Sequence, residues 1–385
     1  MVVYIVLFLL VGFGALHFDI LKRKHFMNPY FIFVGVFCTL MVGLRYRVGG
    51  DALVYEDYYY LYPDISNYLY FIDHKVFLNY QPLWVLFVAI CKTFNSDYYF
   101  YQFMYSVVFN MIWLWFIKKH SNNPFTVLFI LVINLLYFYF GYEVQREMFA
   151  ISCFLLGYDS FQKNKWIKYY IFAIIAFYFH ISATILFIMP FFKLIKFTNK
   201  FIIISILVSI PLIVGKTLFY DLISALYVTE SMQERGEVYS KVGFSVSGVL
   251  FFYFLRVIVF LPFLFYSVKI KKGNSNDWLL AAFLVLSLLS QVLVGFDRML
   301  NYIYIPIIIY FVDLIYSEMK LLYHVKANFI KLSFHVGLFG ILLVKLFISN
   351  YGNYHYYSVF FPYGSIFEKE KNTERENYLI KLWKQ

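Results

Sequence analysis

Charge is scarce in this chain. Of 385 residues, 14% are Asp, Glu, Lys or Arg and 62% are hydrophobic, which excludes a string of soluble domains and leaves a single integral membrane domain. Cysteine is scarcer still. Cys38, Cys91 and Cys153 are odd in number, sit in apolar runs and fit no metal spacing, so they read as small core hydrophobes. No glycine-rich phosphate loop, Ser/His/Asp order, His-Glu-x-x-His motif, Asp-x-Asp pair or repeat period is found. The net charge of +11 comes without a long basic run interleaved with aromatics, so nucleic acid is excluded as a partner. The first apolar stretch, 2–16, has no basic residue before it and no small-residue cleavage site. Lys22-Arg23-Lys24 follows it, which predicts a retained first helix with its N-terminus outside.

What is present is a segregation of the basic residues. Lysines fill the short links between apolar segments: Lys22 and Lys24, Lys118 and Lys119, Lys163 to Lys168, Lys193 to Lys200, Lys269 to Lys272, Lys320 to Lys331. Arg45, Arg47, Arg146, Arg235 and Arg298 map to the opposite segment ends, and Arg256 falls inside a segment. If the lysine links face the cytoplasm, guanidinium groups gather on the external face, where they suit bidentate binding of phosphate or carboxylate. Aromatic residues make up 24%, which suits membrane-interface belts and sugar-stacking surfaces alike.

Spans of about twenty residues are predicted over 2–16, 29–44, 99–117, 124–141, 148–162, 201–219, 246–268, 278–295, 301–317 and 328–348. The stretch 82–94 is short, and 166–192 fits one tilted helix or two short ones. If 82–94 only dips into the membrane and 166–192 turns back near His180, every lysine-rich link falls inside, with both termini outside. The predicted fold is therefore all-α and polytopic, with about 12 membrane segments, some broken or re-entrant, and external loops forming an active site. Broken helices at membrane depth line cavities. A membrane domain over 1–350 and an external motif with a charged tail over 351–385 complete the division. The tail mixes both charges, fits a short surface helix and receives no function.

The densest constellation is Arg45-Tyr46-Arg47-Val48-Gly49-Gly50-Asp51, followed by Tyr55. Two readings fit it: an interfacial anchor with a loop salt bridge, or a turn that presents two guanidiniums and a carboxylate. Glu143-Val144-Gln145-Arg146-Glu147 lies where two spans meet, either as a self-satisfied ion network or as a functional cluster. His180, within Tyr178-Phe179-His180-Ile181-Ser182-Ala183, is a hydrogen-bonded packing residue or a proton carrier facing a wet cavity. Gly295-Phe296-Asp297-Arg298, with Tyr302 and Tyr304 after it, repeats the arginine-plus-tyrosine theme. The tyrosines from Tyr58 to Tyr70 suit sugar stacking or an aromatic belt.

These same residues carry a likeness. R-Y-R-V-G-G-D with its following tyrosine, Q-R-E-M-F-A, F-H-I-S-A, F-D-R-M-L-N-Y and F-F-P-Y-G resemble, in order and spacing over about 1–365, the EpsG/Wzy family of bacterial polysaccharide polymerases. The resemblance implies an enzyme of the bacterial plasma membrane that transfers a growing glycan from its polyprenyl diphosphate carrier onto an incoming carrier-linked repeat unit. Its partners would be that lipid-linked oligosaccharide, membrane lipid, and chain-length regulator and flippase proteins. No metal or organic cofactor is implied. It also draws in Gln145, Ser182 and Tyr363 as substrate-binding residues beside Arg45, Arg47, Tyr55, Arg235, Arg256, Arg298 and Tyr302. Two departures stand out. Gln81-Pro82 replaces an expected Glu-Pro pair, and Glu147 follows Arg146 where glutamine is usual.

Arginines preorganised in a low-dielectric pocket would stabilise a departing diphosphate, with Arg146 among the catalytic residues. Asp51 is the first candidate for the base and His180 the second. Nearby positive charge is expected to depress the Asp51 pKa, and the apolar setting to favour neutral His180. A lipid-linked oligosaccharide flippase and an O-acyltransferase acting on exported sugars are the alternative functions.

Overall fold

A chain this apolar satisfies its backbone polar groups within its own segments by coiling, and helix is what forms. The computed structural model describes residues 2–73, 81–215, 253, 257–270, 275–291, 296–322 and 355–383. Arg235, Arg256 and the predicted span 328–348 lie outside the described residues.

The chain begins with α1 (Val2–Gly14), which runs on through a wider turn over Ala15–Ile20, and α2 (Met27–Gly43). The tyrosine-rich α3 (Ala52–Leu61) and α4 (Tyr68–Asp73) follow, then α5 (Pro82–Phe94) and α6 (Tyr98–His120). Next come α7 (Pro124–Ile133), α8 (Leu136–Phe138) with a wide turn to Glu143, α9 (Gln145–Gln162), α10 (Trp166–Phe179), α11 (Thr184–Ile188) and α12 (Asn199–Val214). The last described helices are α13 (Leu261–Lys269), α14 (Asp277–Leu289), α15 (Phe296–Leu322), α16 (Tyr356–Phe360) and α17 (Thr373–Trp383). No strand occurs among the described residues, where an isolated antiparallel bridge joins Arg45 to Ser365. The all-α class is as predicted. Among the described residues three helices, Val2–Ile20, Tyr98–His120 and Phe296–Tyr316, are long and apolar enough to cross a membrane, with a fourth if one bent pair counts as a single span, and the predicted total takes in segments outside those residues.

That bent pair corrects the prediction of one span over 124–141. α7 stops at Ile133 and the following helix sets off at 83°. Asn134 turns its side chain back to the Ile130 carbonyl, and buried Leu135 takes a left-handed backbone, φ 61°, at about 1 kcal/mol or more for a residue with a Cβ. Packing around Leu135 holds the break, and the break delivers Glu143 and Arg146 to one end of the molecule.

α9 serves as a ruler between two ends. Near its C-terminus Asp159 pairs with Lys119 at the end of α6, and Lys22 bonds Asn123, which bonds Asp313. Near its N-terminus Glu147 meets Arg298 and Asn301 of α15. The lysine links at Lys22 and Lys119 thus share one end, and Arg146 and Arg298 share the other. Helix α10 stops at Phe179 because His180 is extended, φ −159° and ψ 135°. The chain then returns along α10: the Tyr169 hydroxyl donates to the Leu186 carbonyl at 2.7 Å, and Lys193 reaches Asn164 at 2.6 Å. The 166–192 segment is a hairpin with His180 at its tip. α5 keeps to the arginine end. Its start and its finish both bond the tyrosine segment, through Pro82 to Tyr68 and Lys92 to Tyr62. Both chain ends meet there too, Tyr4 donating to the Phe360 carbonyl at 2.7 Å.

Candidate functional site

The 45–51 loop enters the site from the end of α2. Gly49 adopts φ 118°, and a Cβ there would lie 3.0 Å from Tyr142, so only glycine fits. The Gly50 N–H donates to Glu143 Oε1 at 3.2 Å, and Asp51 follows at the head of α3. From the start of α9 comes Arg146, whose guanidinium is within hydrogen-bonding reach of the Tyr55 hydroxyl. From the first turn of α15 comes Arg298, and both guanidinium charges act on Asp51.

Asp51 keeps some exposed edge, yet protein atoms crowd its carboxyl, and burial pushes its pKa up to about 6 against the opposing pull of Arg298 and Arg146. The expected depression is therefore overturned. Desolvation outweighs two nearby cations because those cations are themselves partly solvated or shared with other carboxylates. Burial likewise pushes the Tyr55 hydroxyl up, holding it protonated.

A second arm runs through Arg298. Its side chain is 40% exposed and lies 3.9 Å from Glu147 Oε2 and 3.5 Å from His180 Nε2. Asn301, one turn along α15, donates to Glu147 Oε1 at 2.8 Å. His180 Nδ1 contacts Ser182 Oγ at 2.7 Å and the Ser182 backbone N–H at 3.2 Å, and Ser182 Oγ meets the Tyr302 hydroxyl at 2.9 Å. A guanidinium only donates, so the contact with Arg298 asks for a lone pair on Nε2, while the Ser182 N–H asks for one on Nδ1. Neutral imidazole has a single lone pair. Arg298 and the Ser182 backbone therefore compete for it.

Asp51, Tyr55, Arg146, His180, Ser182, Arg298 and Tyr302 thus come together. Other expected residues are employed elsewhere. Arg45 is 0% exposed. Its guanidinium donates to the carbonyls of Val48 at 3.1 Å, Val42, and Tyr142 at 3.4 Å, and it stacks on the Tyr142 ring. Arg47 pairs with Glu56 at 2.8 Å and Glu376 at 3.1 Å. The Tyr363 hydroxyl donates to the Met41 carbonyl, and buried Gln145 accepts from Tyr101. Asn301 was absent from the expected set, and Glu143 and Glu147 entered it only as members of a cluster with two readings, an ion network or a functional group. Asn301 stands three residues after Arg298, a helical spacing that puts both on one face.

Among the described residues no group of three or more His, Cys, Asp or Glu converges as a metal site. A cavity of about 400 Å³ opens at the lysine end, lined by His120, Asp277, Tyr310 and Asp313 among others, and none of the expected site residues lines it. The chemistry-bearing groups gather at the opposite end, where two guanidiniums, a carboxylate of raised pKa and a tethered imidazole suit an anionic ligand and a proton transfer. No curated protein and no solved structure matches the chain. The model of the EpsG family matches residues 28–365, taking in the 45–51 loop, Arg146, His180 and Arg298, and the chain therefore belongs to the EpsG family.

Proposed function

We propose that this protein is a polysaccharide polymerase that joins polyprenyl-diphosphate-linked oligosaccharide repeat units at the external face of the bacterial plasma membrane. The observation that carries the reading is the convergence of Arg146 and Arg298 on Asp51 from three separate parts of the chain. Family membership supports polysaccharide biosynthesis; the substrate, the leaving group, the sidedness and the full set of about twelve membrane segments belong to the proposal. Flippase and chain-length regulator proteins are its proposed neighbours in the membrane.

In this mechanism the acceptor hydroxyl oxygen attacks the anomeric carbon as its bond to the lipid diphosphate breaks. The electron pair leaves with the diphosphate, and Arg146 and Arg298 meet the charge that develops there. The hydroxyl proton passes to Asp51. With its pKa near 6, Asp51 is ionised at neutral pH and more basic than an exposed aspartate. Diphosphate binding draws Arg298 away from His180 and Glu147, and the imidazole tautomer that donates from Nδ1 to Ser182 Oγ then offers its Nε2 lone pair as a second acceptor. Tyr55 positions Arg146, Ser182 and Tyr302 hold the imidazole, and Gln145 and Tyr363 support the walls. Arg45 becomes a positioning residue beneath the loop, and Arg235 and Arg256 stay in the proposal as further anion contacts.

The test is incubation of the purified protein with its lipid-linked repeat unit, with a glycan ladder as the expected product. Asp51→Asn is expected to abolish the ladder while substrate binding survives, and His180→Ala to slow turnover less severely. Normal polymerisation by Asp51→Asn with an inactive His180→Ala would exchange the two roles. Transport of intact substrate across vesicles without elongation would replace the polymerase with a flippase.

A further inference from the structure

The segment 355–383, most of it beyond the residues that the family model matches, is bound to the 45–51 loop along its length. The Tyr46 N–H donates to the Gly364 carbonyl at 2.8 Å, the Ile366 N–H to the Leu44 carbonyl at 3.0 Å, and the Gly49 N–H to the Val359 carbonyl at 3.4 Å. A Cβ at position 364 would lie 2.7 Å from the Tyr46 carbonyl, so the approach requires glycine. α17 then folds over this junction. The sequence of α17, with Glu374, Arg375, Glu376 and Lys381, suits a surface helix, yet Arg375 is 4% exposed and Leu379 is 1% exposed.

What those tail residues hold is Arg47. Arg47 carries φ 50°, a left-handed backbone at a residue with a full side chain, and such a conformation persists only where its surroundings enforce it. Arg375 donates to the Arg47 carbonyl at 3.2 Å and to the Pro362 carbonyl. The next residue, Glu376, accepts from the Arg47 guanidinium at 3.1 Å. Consecutive tail residues thus grip both the backbone and the side chain of one strained residue. Beyond it Gly49 is wedged under Tyr142 and Gly50 is tied to Glu143, so the direction of Asp51 follows from the chain path that starts at Arg47.

We infer that Arg375 and Glu376 are positioning residues that lock Arg47 in its left-handed conformation and so present Asp51 to Arg146 and Arg298. The inference rests on reading Asp51 as the reacting carboxylate. Arg375 is the donor to the Arg47 carbonyl among the described residues, whereas Glu376 shares the guanidinium with Glu56, so the loss of Arg375 is the more damaging.

Full-length protein with Cys38, Cys91 and Cys153 replaced and Val48→Cys introduced reports on the loop directly, since Val48 is 0% exposed. An impermeant maleimide is expected to label it slowly in the parent, about tenfold faster with Arg375→Ala, and at an intermediate rate with Glu376→Gln, which leaves buried Arg375 in place and guards against misfolding. In otherwise unaltered protein, Arg375→Ala is expected to lower kcat about tenfold with KM held within about twofold, the signature of a misplaced reacting group. Arg375→Lys, which keeps a donor for one carbonyl, is expected to recover part of that loss. Unchanged labelling in both variants overturns the clamp whatever the activity. Faster labelling with unchanged kcat overturns the positioning role. Faster labelling in a protein whose parent makes no polymer sustains the clamp and removes the polymerase reading instead.

Discussion

In the 45–51 loop both guanidiniums are enclosed by the protein's own acceptors, whereas those at the starts of α9 and α15 act together on one carboxylate, Asp51. Arg45 spends its donors on carbonyls, and Arg47 meets two acids at hydrogen-bonding distance. Arg298 stands 3.9 Å from Glu147 and keeps 40% of its side chain exposed. A guanidinium on well-placed internal acceptors fixes backbone; one held at longer range can exchange those partners for an incoming anion without leaving buried groups unpaired. Residue type alone does not separate the two uses.

Four measurements break or sharpen this contrast. The largest effect is expected at the pair that acts on Asp51. Arg146→Lys and Arg298→Lys keep charge and expression but are expected to lose about a hundredfold in kcat/KM, because an ammonium cannot reproduce the planar fork that the proposed reaction sets against a departing diphosphate. Full activity in both would erase the distinction from the loop pair. Next comes Arg45→Met, which leaves several buried carbonyls without a donor and is expected to cost about 3 kcal/mol of stability, seen as an earlier melt in detergent. Turnover per folded molecule should fall much less than in Arg298→Lys, because Arg45 acts only through the backbone of the loop. A selective loss of turnover without loss of stability would place Arg45 among the substrate contacts after all.

The third measurement is the pH profile. In the proposed reaction Asp51 would act as a base only when ionised, so kcat/KM of the parent is expected to fall with decreasing pH through about 6, well above the range of an exposed aspartate. The groups facing Asp51 are Arg146 from α9, Arg298 from α15, Tyr55 from its own helix, and Glu143 through the Gly50 N–H. Removing the charge in Arg298→Met should move this limb up by about one unit, while Arg45→Met should leave it in place. The smallest effect concerns stability at the same residue. Because folding raises the Asp51 pKa, the folded state binds the proton more tightly, and the cost of ionisation grows as pH rises through about 6. Asp51→Asn is therefore expected to melt slightly later than the parent at pH 7, and an earlier melt would show that the carboxylate holds the loop together.

Much of the site was legible before the fold. The motifs around Asp51, Arg146, His180 and Arg298 stood out because a charged or titratable group beside an apolar run is costly unless it has work to do. The turn at His180 was legible too, since 166–192 is too long for a short helix and carries its polar residue in the middle. The break after Ile133 was not. It depends on one asparagine side chain bonding Ile130 and on packing around Leu135, and neither alters the hydropathy of 124–141. The direction of the Asp51 pKa was also hidden, because sequence shows the neighbouring charges and not the crowding.

The sequence by itself determined that the chain is helical and rich in apolar segments, and it singled out the short motifs that the fold gathers around Asp51. These follow from composition and order, which act on each segment alone. Only the tertiary structure decided which arginines are spent internally and which face Asp51, that Glu147 and Asn301 join the site, and that the tail grips Arg47. Those facts depend on contacts between residues up to 329 positions apart, as Arg47 and Glu376 are, and a hydrogen bond discriminates over a few tenths of an ångström, a scale that no spacing along the chain can express.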